Sequence, residues 1–248
     1  SMKVTGVKTK KVVVGDDLYK ILDEYLPKLN EKDVVIITSK IIAICQGRVV
    51  KNDGKISKVD LMKKEAQFYL PEHSMMYGIH LTITNNTFVV SAGVDESNGD
   101  GYFILWPENI QKTVNQVWQH LRKKNKIKYL GIVVSDSKLA PLRKGVTGMG
   151  VTWAGFKPLR DYVGKPDIFG RIMRLEKLNL VDSISTAGVI VMGEGSEQTP
   201  LGIVSEIPDI EFVNRVPTQE EIDDMTINPQ DDVFGGLIRA VKWLKGGR

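Results

Sequence analysis

The sequence is poor in the residues that build redox and zinc centres: it has one cysteine, Cys45, and three histidines, His73, His80 and His120. A lone cysteine excludes an internal disulfide and any cysteine cage for zinc. The histidines show no metal-ligand spacing, and Cys45, in the apolar run Ile41–Cys45, reads as a small buried hydrophobe. No apolar run approaches the ~20 residues that a transmembrane helix requires. The opening Ser1-Met2-Lys3-Val4 has no apolar signal region, so the expectation is a cytoplasmic protein with no membrane contact. Charge of one sign is also scarce. Lys and Arg number 34 against 30 Asp and Glu, a net +4 that is too even for a protein coating nucleic acid. The cluster Arg122-Lys123-Lys124 with Lys126 and Lys128 lacks interleaved aromatics and reads as a solvated helix end, so no nucleic-acid partner is expected.

What is present is a globular pattern. Hydrophobic residues make up 42% of 248, enough for one large or two modest cores. Short apolar runs alternate with amphipathic stretches, which predicts an α+β protein. Asp16-Asp17 precede a helix through Leu18, Ile21, Leu22 and Tyr25, and Ser57 caps another expected to run through Tyr69 to Pro71. Helices are also expected from Pro107 through Leu121, from Pro166-Asp167 through Leu178, and over Val233–Leu244. Strands are expected at Val34–Ile37, Phe88–Val90, Leu130–Val134 and Val189–Met192. Between Pro141 and Gly164, and on to Gly170, glycines accumulate (Gly145, Gly148, Gly150, Gly155), the texture of a loop-rich segment. The expectation is a larger mixed-sheet domain, residues 1–135 with 195–248, and a smaller glycine-rich one, residues 136–194.

Three acids take equivalent places. Asp95, Asp136 and Glu194 each follow an expected strand and are flanked by glycine or serine. Strand ends are rigid, and small neighbours let a ligand approach closely. Three converging carboxylates repel one another unless a cation joins them, and hard oxygen ligands select Mg²⁺ or Mn²⁺. Any one of the acids alone reads as a solvated turn residue; the trio favours the metal. Thr38-Ser39-Lys40, after a buried strand, has the composition of a phosphate cradle and equally that of an ordinary helix cap. The polar loop Gly193–Pro200 either wraps a nucleotide or simply connects two strands. Arg143 and Arg171 are candidate clamps for substrate carboxylates, with surface ion pairing as the other reading.

Together these segments resemble the γ-glutamyl ligases of the deazaflavin coenzyme F-420, closest to the branch assigned to folate metabolism. The resemblance rests on Thr38-Ser39-Lys40-Ile41 with Gly47-Arg48-Val49-Val50, on Ser91–Asn98 with its Gly-Val-Asp-Glu-Ser-Asn, and on Val134-Ser135-Asp136-Ser137. It continues through Gly164–Arg171 and Met192-Gly193-Glu194-Gly195 with Thr199-Pro200. It implies a GTP-dependent ligase, with ATP as the alternative nucleotide, that uses Mg²⁺ or Mn²⁺ to join L-glutamate to a carboxylate-bearing acceptor through an acyl phosphate. It also implies an intertwined homodimer. By the same resemblance Asp95, Asp136, Ser137 and Glu194 hold metal. Thr38, Ser39, Lys40, Asn98 and the loop residues Met192, Gly193, Gly195, Ser196, Glu197, Gln198 and Thr199 meet nucleotide. Asp95, Asp136 and Arg143 stand as the catalytic set, with Arg171 a substrate contact. The departures are Ile44-Cys45-Gln46-Gly47 in place of the family's Lys-Ala-Glu-Gly, Lys138–Arg143 in place of Phe-Gly-Arg-Pro-Trp-Arg, and Lys8-Thr9-Lys10 in place of a base-holding Gly-Leu-Pro. They leave open a catalytically silent nucleotide- and metal-binding regulatory protein.

Overall fold

A computed structural model describes residues 1–74 and 76–248. At its centre lies a five-stranded sheet in the order β1 (Lys3–Val7), β12 (Leu201–Ser205), β2 (Val34–Thr38), β8 (Gly131–Leu139) and β9 (Val146–Ala154). β2 and β8 are parallel and the other pairings antiparallel, so the sheet is mixed. The unbroken apolar run of β2 follows from cover on both faces. Val35 and Ile37 meet α1 (Leu18–Tyr25), α2 (Ser39–Cys45) and α4 (Ile110–Asn125), while Val34 and Ile36 meet α5 (Leu180–Met192). That division is the two-residue period of a strand.

A second, antiparallel sheet orders β13 (Leu244–Lys245), β4 (Phe68–His73), β5 (His80–Thr84) and β6 (Thr87–Val90), next to α3 (Lys58–Glu65). β3 (Val49–Lys51) pairs with β7 (Tyr102–Ile104), and β10 (Leu159–Asp161) with β11 (Lys177–Asn179). Short helices α6 (Gln219–Asp223) and α7 (Gly235–Ala240) lie in the last quarter of the chain. The mixed α+β class stands. The stretch 136–194 supplies most of β8's second half, β9 and α5 to the central sheet and its cover. Its glycines explain that placement: a Cβ on Gly148 would lie 2.5 Å from the Ser185 carbonyl carbon, and one on Gly150 2.8 Å from that of Val181. Bare glycine backbone is what lets α5 rest directly on β9.

Several expected elements differ. Val189–Met192 is the last turn of α5, not a strand; the helix is capped by Asn179, whose side chain accepts from the Asp182 amide at 3.0 Å, and buries Leu180, Val181, Ile184, Gly188 and Met192. Packing of that stripe outweighs the β-branched run. Residues 166–178 form no helix, because the Asp167 carboxylate accepts from the Phe169 and Arg171 amides and folds a turn instead. The helix after Ser57 has the expected capping box with Asp60 but ends at Glu65, and Pro71 falls inside β4 where its pairing with β5 shifts register. The closing helix shrinks to Gly235–Ala240. β8 continues past Val134, with a register shift at Ser135, so Asp136 lies within the strand. Among the described residues no helix is long and apolar enough to cross a membrane.

The chain beyond β12 is tied back through Glu221. Its carboxylate takes a two-pronged pair from Arg215 at 2.6 and 2.8 Å, Lys157 at 2.6 Å, and the Thr218 amide at 3.0 Å. Arg215 first, with Lys157 and the Thr218 amide, holds this carboxyl far below the usual glutamate value of 4.5. A depressed pKa stabilises the fold above the unfolded value and is lost as pH falls through the folded one. Glu221→Gln is therefore expected to cost about 1–3 kcal/mol near neutral pH. In denaturant titrations the gap from the parent closes on acidification; a gap that persists in acid contradicts the assignment.

Candidate active site

The site begins where β2 ends beside the middle of β8. In their parallel register Thr38 stands opposite Ser135, so Ser39-Lys40 leave the sheet next to Asp136-Ser137, which continue along β8 opposite Met149 and Gly148 of β9. The carboxyl end of a strand beside a parallel neighbour is a recurrent place for ligands. The loop between α5 and β12 closes over this edge, with Thr38 N–H donating to the Pro200 carbonyl at 3.0 Å. The result is an open cleft of about 1070 Å³, at the upper end for a ligand site. Its lining includes Thr38, Ser39, Lys40, Asp95, Asn98, Asp136, Ser137 and the whole of 192–199.

The acids are not equivalent inside it. Asp95 follows a left-handed turn at Ser91–Gly93 and is pinned by the Ile104 backbone of β7. Burial pushes its carboxyl up. Lys40 Nζ at 2.7 Å and the Ser97 amide and hydroxyl at 3.0 Å outweigh this and hold it below the ordinary aspartate value. Asp136 goes the other way. Burial raises its pKa and the nearby Asp95 charge adds to this, against the Ser137 amide, the Ser39 hydroxyl and the Trp106 indole. Glu194 follows a helix rather than a strand, and both its oxygens accept from the Ser137 hydroxyl, at 2.7 and 2.8 Å.

Asp95 and Asp136 are oxygen donors whose charges oppose each other, a donor set that fits a hard divalent cation. Ser137 links Glu194 to the same edge. Among the described residues, however, no three carboxylate, imidazole or thiol groups stand close enough to share one ion. The trio meets in one cleft but not at one point.

The 192–199 loop is held from both sides. Asn98 Nδ2 donates to the Gly195 carbonyl at 2.9 Å, and the Gly195 amide donates to Glu197 at 2.8 Å. Gln198 Nε2 donates to the Thr9 carbonyl at 2.6 Å while Thr9 N–H returns to the Gln198 carbonyl. The segment Lys8-Thr9-Lys10 thus orders the loop through Thr9. Thr38 makes no side-chain cap to α2, so its hydroxyl is not spent on the helix. Ile44 lines the cleft as an apolar wall, packed with Ala43 and Ile104. The arginines are not brought in. Arg143 lies in the exposed turn between β8 and β9, two residues short of the lining residues Gly145 and Val146, and Arg171 lies in the turn built on Asp167. Sequence reasoning missed Trp106, a buried wall of the cleft; its signal was a tryptophan directly before Pro107 at a strand end.

The family model described as F420-0:Gamma-glutamyl ligase matches residues 6–206, a span that contains every cleft residue named above. The chain is 28% identical over 205 residues to the Coenzyme F420:L-glutamate ligase of Methanosarcina barkeri, covering 77% of this chain and 79% of that one. It is 29% identical over 212 residues to the protein of that name from Halorubrum lacusprofundi, covering 77% and 82%. With the one from Methanococcus maripaludis (strain S2) it shares 28% over 229 residues, covering 86% and 91%. A match over most of its length, running through the cleft from Thr9 to Pro200, places this chain in the F420-0:gamma-glutamyl ligase family.

Proposed function

We propose that the chain is a γ-glutamyl ligase that joins L-glutamate to a carboxylate-bearing acceptor, with a nucleoside triphosphate and Mg²⁺ or Mn²⁺. The supporting observation is the convergence, around the end of β2 and the adjoining stretch of β8, of Lys40, Asp95, Asp136 and the 192–199 loop in one cleft that lies wholly within the family match. In the first step an acceptor carboxylate oxygen bonds to the terminal phosphorus and nucleoside diphosphate leaves. In the second the glutamate amine bonds to the acyl carbon, inorganic phosphate leaves and the amine gives up a proton.

Such chemistry is mostly positioning and charge neutralisation. Asp95 and Asp136 are the groups that would hold the cation, with Ser137 linking Glu194 to that edge; such a cation would spread the phosphate charge. Thr38, Ser39, Asn98 and the loop 192–199 meet the nucleotide. Lys40, already engaged with Asp95, keeps that carboxylate ionised. Arg143 is the acceptor-side candidate, because its turn borders the lining residues Gly145 and Val146. Ile168, Phe169 and Leu175, 92%, 90% and 87% exposed on the excursion between β10 and β11, suit burial against a second copy in a homodimer.

The nucleotide is the directly testable part. With Thr9 committed to the loop backbone and Lys10 to Asp16, and no Gly-Leu-Pro in this segment, base discrimination should be loose, since selectivity comes from bonds to base edges. Calorimetric titration in Mg²⁺ is expected to show GTP and ATP binding within ~100-fold, about 2.7 kcal/mol. A wider preference contradicts the looseness, and no binding of either nucleotide contradicts the function. Phosphate release that ignores added glutamate and acceptor would instead favour the silent regulatory protein.

A further inference from the structure

The three histidines stand in two different situations. His120 of α4 spends its Nε2 on the Asp23 carboxylate of α1 at 2.8 Å. His73 and His80 have no metal-ligand spacing along the chain, yet the β4–β5 hairpin sets them opposite each other. Three residues of β4, Leu70, Pro71 and Glu72, stand there against Leu81 alone of β5, a bulge between the Tyr69–Thr82 and His73–His80 pairs. Bulges re-aim the groups around them. Here the Leu70 carbonyl lies 2.9 Å from His80 Nδ1. A carbonyl only accepts, so Nδ1 carries the proton and, in the neutral ring, Nε2 keeps its lone pair. Ligating histidines are held in this way, with the second ring nitrogen donating to a carbonyl or carboxylate.

The separation of the rings is that of two ligands on one ion. Imidazole nitrogens at about 2.0–2.1 Å from a shared ion place their ring centres roughly 5–6 Å apart. The His73 and His80 centroids are 5.6 Å apart, and the rings are tilted by 51° rather than stacked. His73 is exposed and His80 half-buried, so an ion reaches the pair from solvent. Among the described residues no third histidine, cysteine, aspartate or glutamate joins them, which leaves the remaining positions to water. Two imidazoles without a carboxylate suit Ni²⁺, Cu²⁺ or Zn²⁺ and are a poor set for Mg²⁺, which demands oxygen.

We propose that His73 and His80 form a site for a divalent transition-metal ion of the Ni²⁺, Cu²⁺ and Zn²⁺ class, which clamps the β4–β5 hairpin. The turn of the hairpin follows at once. Ser74 N–H donates to the Ile79 carbonyl at 2.9 Å, and Tyr77 and Ile79 line the cleft. An ion held across the strand ends therefore steadies that wall of the cleft. Neither histidine lines the cleft itself, so the site is separate from Asp95 and Asp136 and does not depend on the ligase reading.

The test titrates Zn²⁺, and separately Ni²⁺, into the untagged, metal-free full chain near neutral pH, with Mg²⁺ in excess to occupy the cleft carboxylates. Calorimetry gives the affinity, and ¹H–¹⁵N spectra follow the histidine rings and the Tyr77 and Ile79 amides. One equivalent is expected to bind, to shift the His73 and His80 ring signals and both amides, and to leave as acid protonates the imidazoles. His73→Gln, at an exposed position where melting curves check the fold, is expected to raise the Kd at least about tenfold. His120→Gln and Asp136→Asn should leave that Kd unchanged. No binding of either ion, or an unchanged Kd in folded His73→Gln, overturns the site. Binding lost with Asp136→Asn also overturns it, because the ion then sits in the cleft. Binding that leaves the Tyr77 and Ile79 amides unmoved overturns the clamp.

Discussion

Asp136→Asn is expected to abolish ligation while making the protein harder to unfold. Burial raises this carboxyl's pKa, with the Asp95 charge adding to it, so the folded state binds a proton more tightly than the unfolded chain. A raised carboxylate pKa means that stability falls as pH rises from the unfolded value through the folded one. Asparagine keeps the shape, removes the charge and removes that slope. The melting temperature near neutral pH should therefore rise, each ~1 kcal/mol counting for about 2–4 °C in a chain of this size. On the proposed function, Mg²⁺-dependent nucleotide binding would lose a charged ligand within β8, and turnover is expected to drop by at least about 10²–10³-fold. Paired thermal melts and nucleotide titrations check both halves. A variant that binds Mg²⁺ and GTP as the parent does, or melts lower, contradicts the role given to Asp136.

The second large effect lies outside the cleft. Gly148→Ala places a Cβ within 2.6 Å of the Ser185 carbonyl oxygen and the Thr186 amide nitrogen, all backbone atoms of α5 that no side-chain motion can clear. The helix must lift from β9, at about 1–3 kcal/mol for overpacking of this kind. Two links to the site go with it. Ser185 shares a buried 2.6 Å hydrogen bond with Ser135, the residue before Asp136, and α5 ends at Met192, the first residue of the 192–199 loop. Denaturant midpoints should fall and nucleotide affinity should fall with them. A variant that loses neither shows that α5 does not set the position of the loop.

What the sequence reveals well is local chemistry. The caps at Asp17 and Ser57 are legible because one side chain satisfies one nearby amide, and both form. The buried run Val34–Ile37 is legible because cover on two faces leaves no alternation to confuse. Val189–Met192 is not, since a four-residue apolar run carries no period and only the stripe that starts at Leu180 shows the helix. Nor are the glycines of β9, which look like loop residues until the helix that lies on them is known. Among the cleft residues, Ser39, Asp95 and Asp136 are legible as small or acidic residues after apolar runs, although Asp136 lies within β8 and Asp95 after the Ser91–Gly93 turn, while Asn98 is legible only through the family resemblance. The pairing of Lys40 with Asp95, the tie of Thr9 to Gln198 and the approach of the Trp106 indole to Asp136 are long-range geometry, with no local pattern to mark them.

The central claim is glutamate transfer driven by a nucleotide. The direct measurement is to incubate the protein with Mg²⁺, GTP, isotope-labelled L-glutamate and small-molecule cell extract, then follow labelled products by mass spectrometry alongside GDP and phosphate. The account predicts a metabolite carrying one added labelled glutamyl unit, formed in step with GDP and phosphate and lost with Asp136→Asn. GTP that binds without any labelled product accumulating, across extracts that supply carboxylate acceptors, would contradict it.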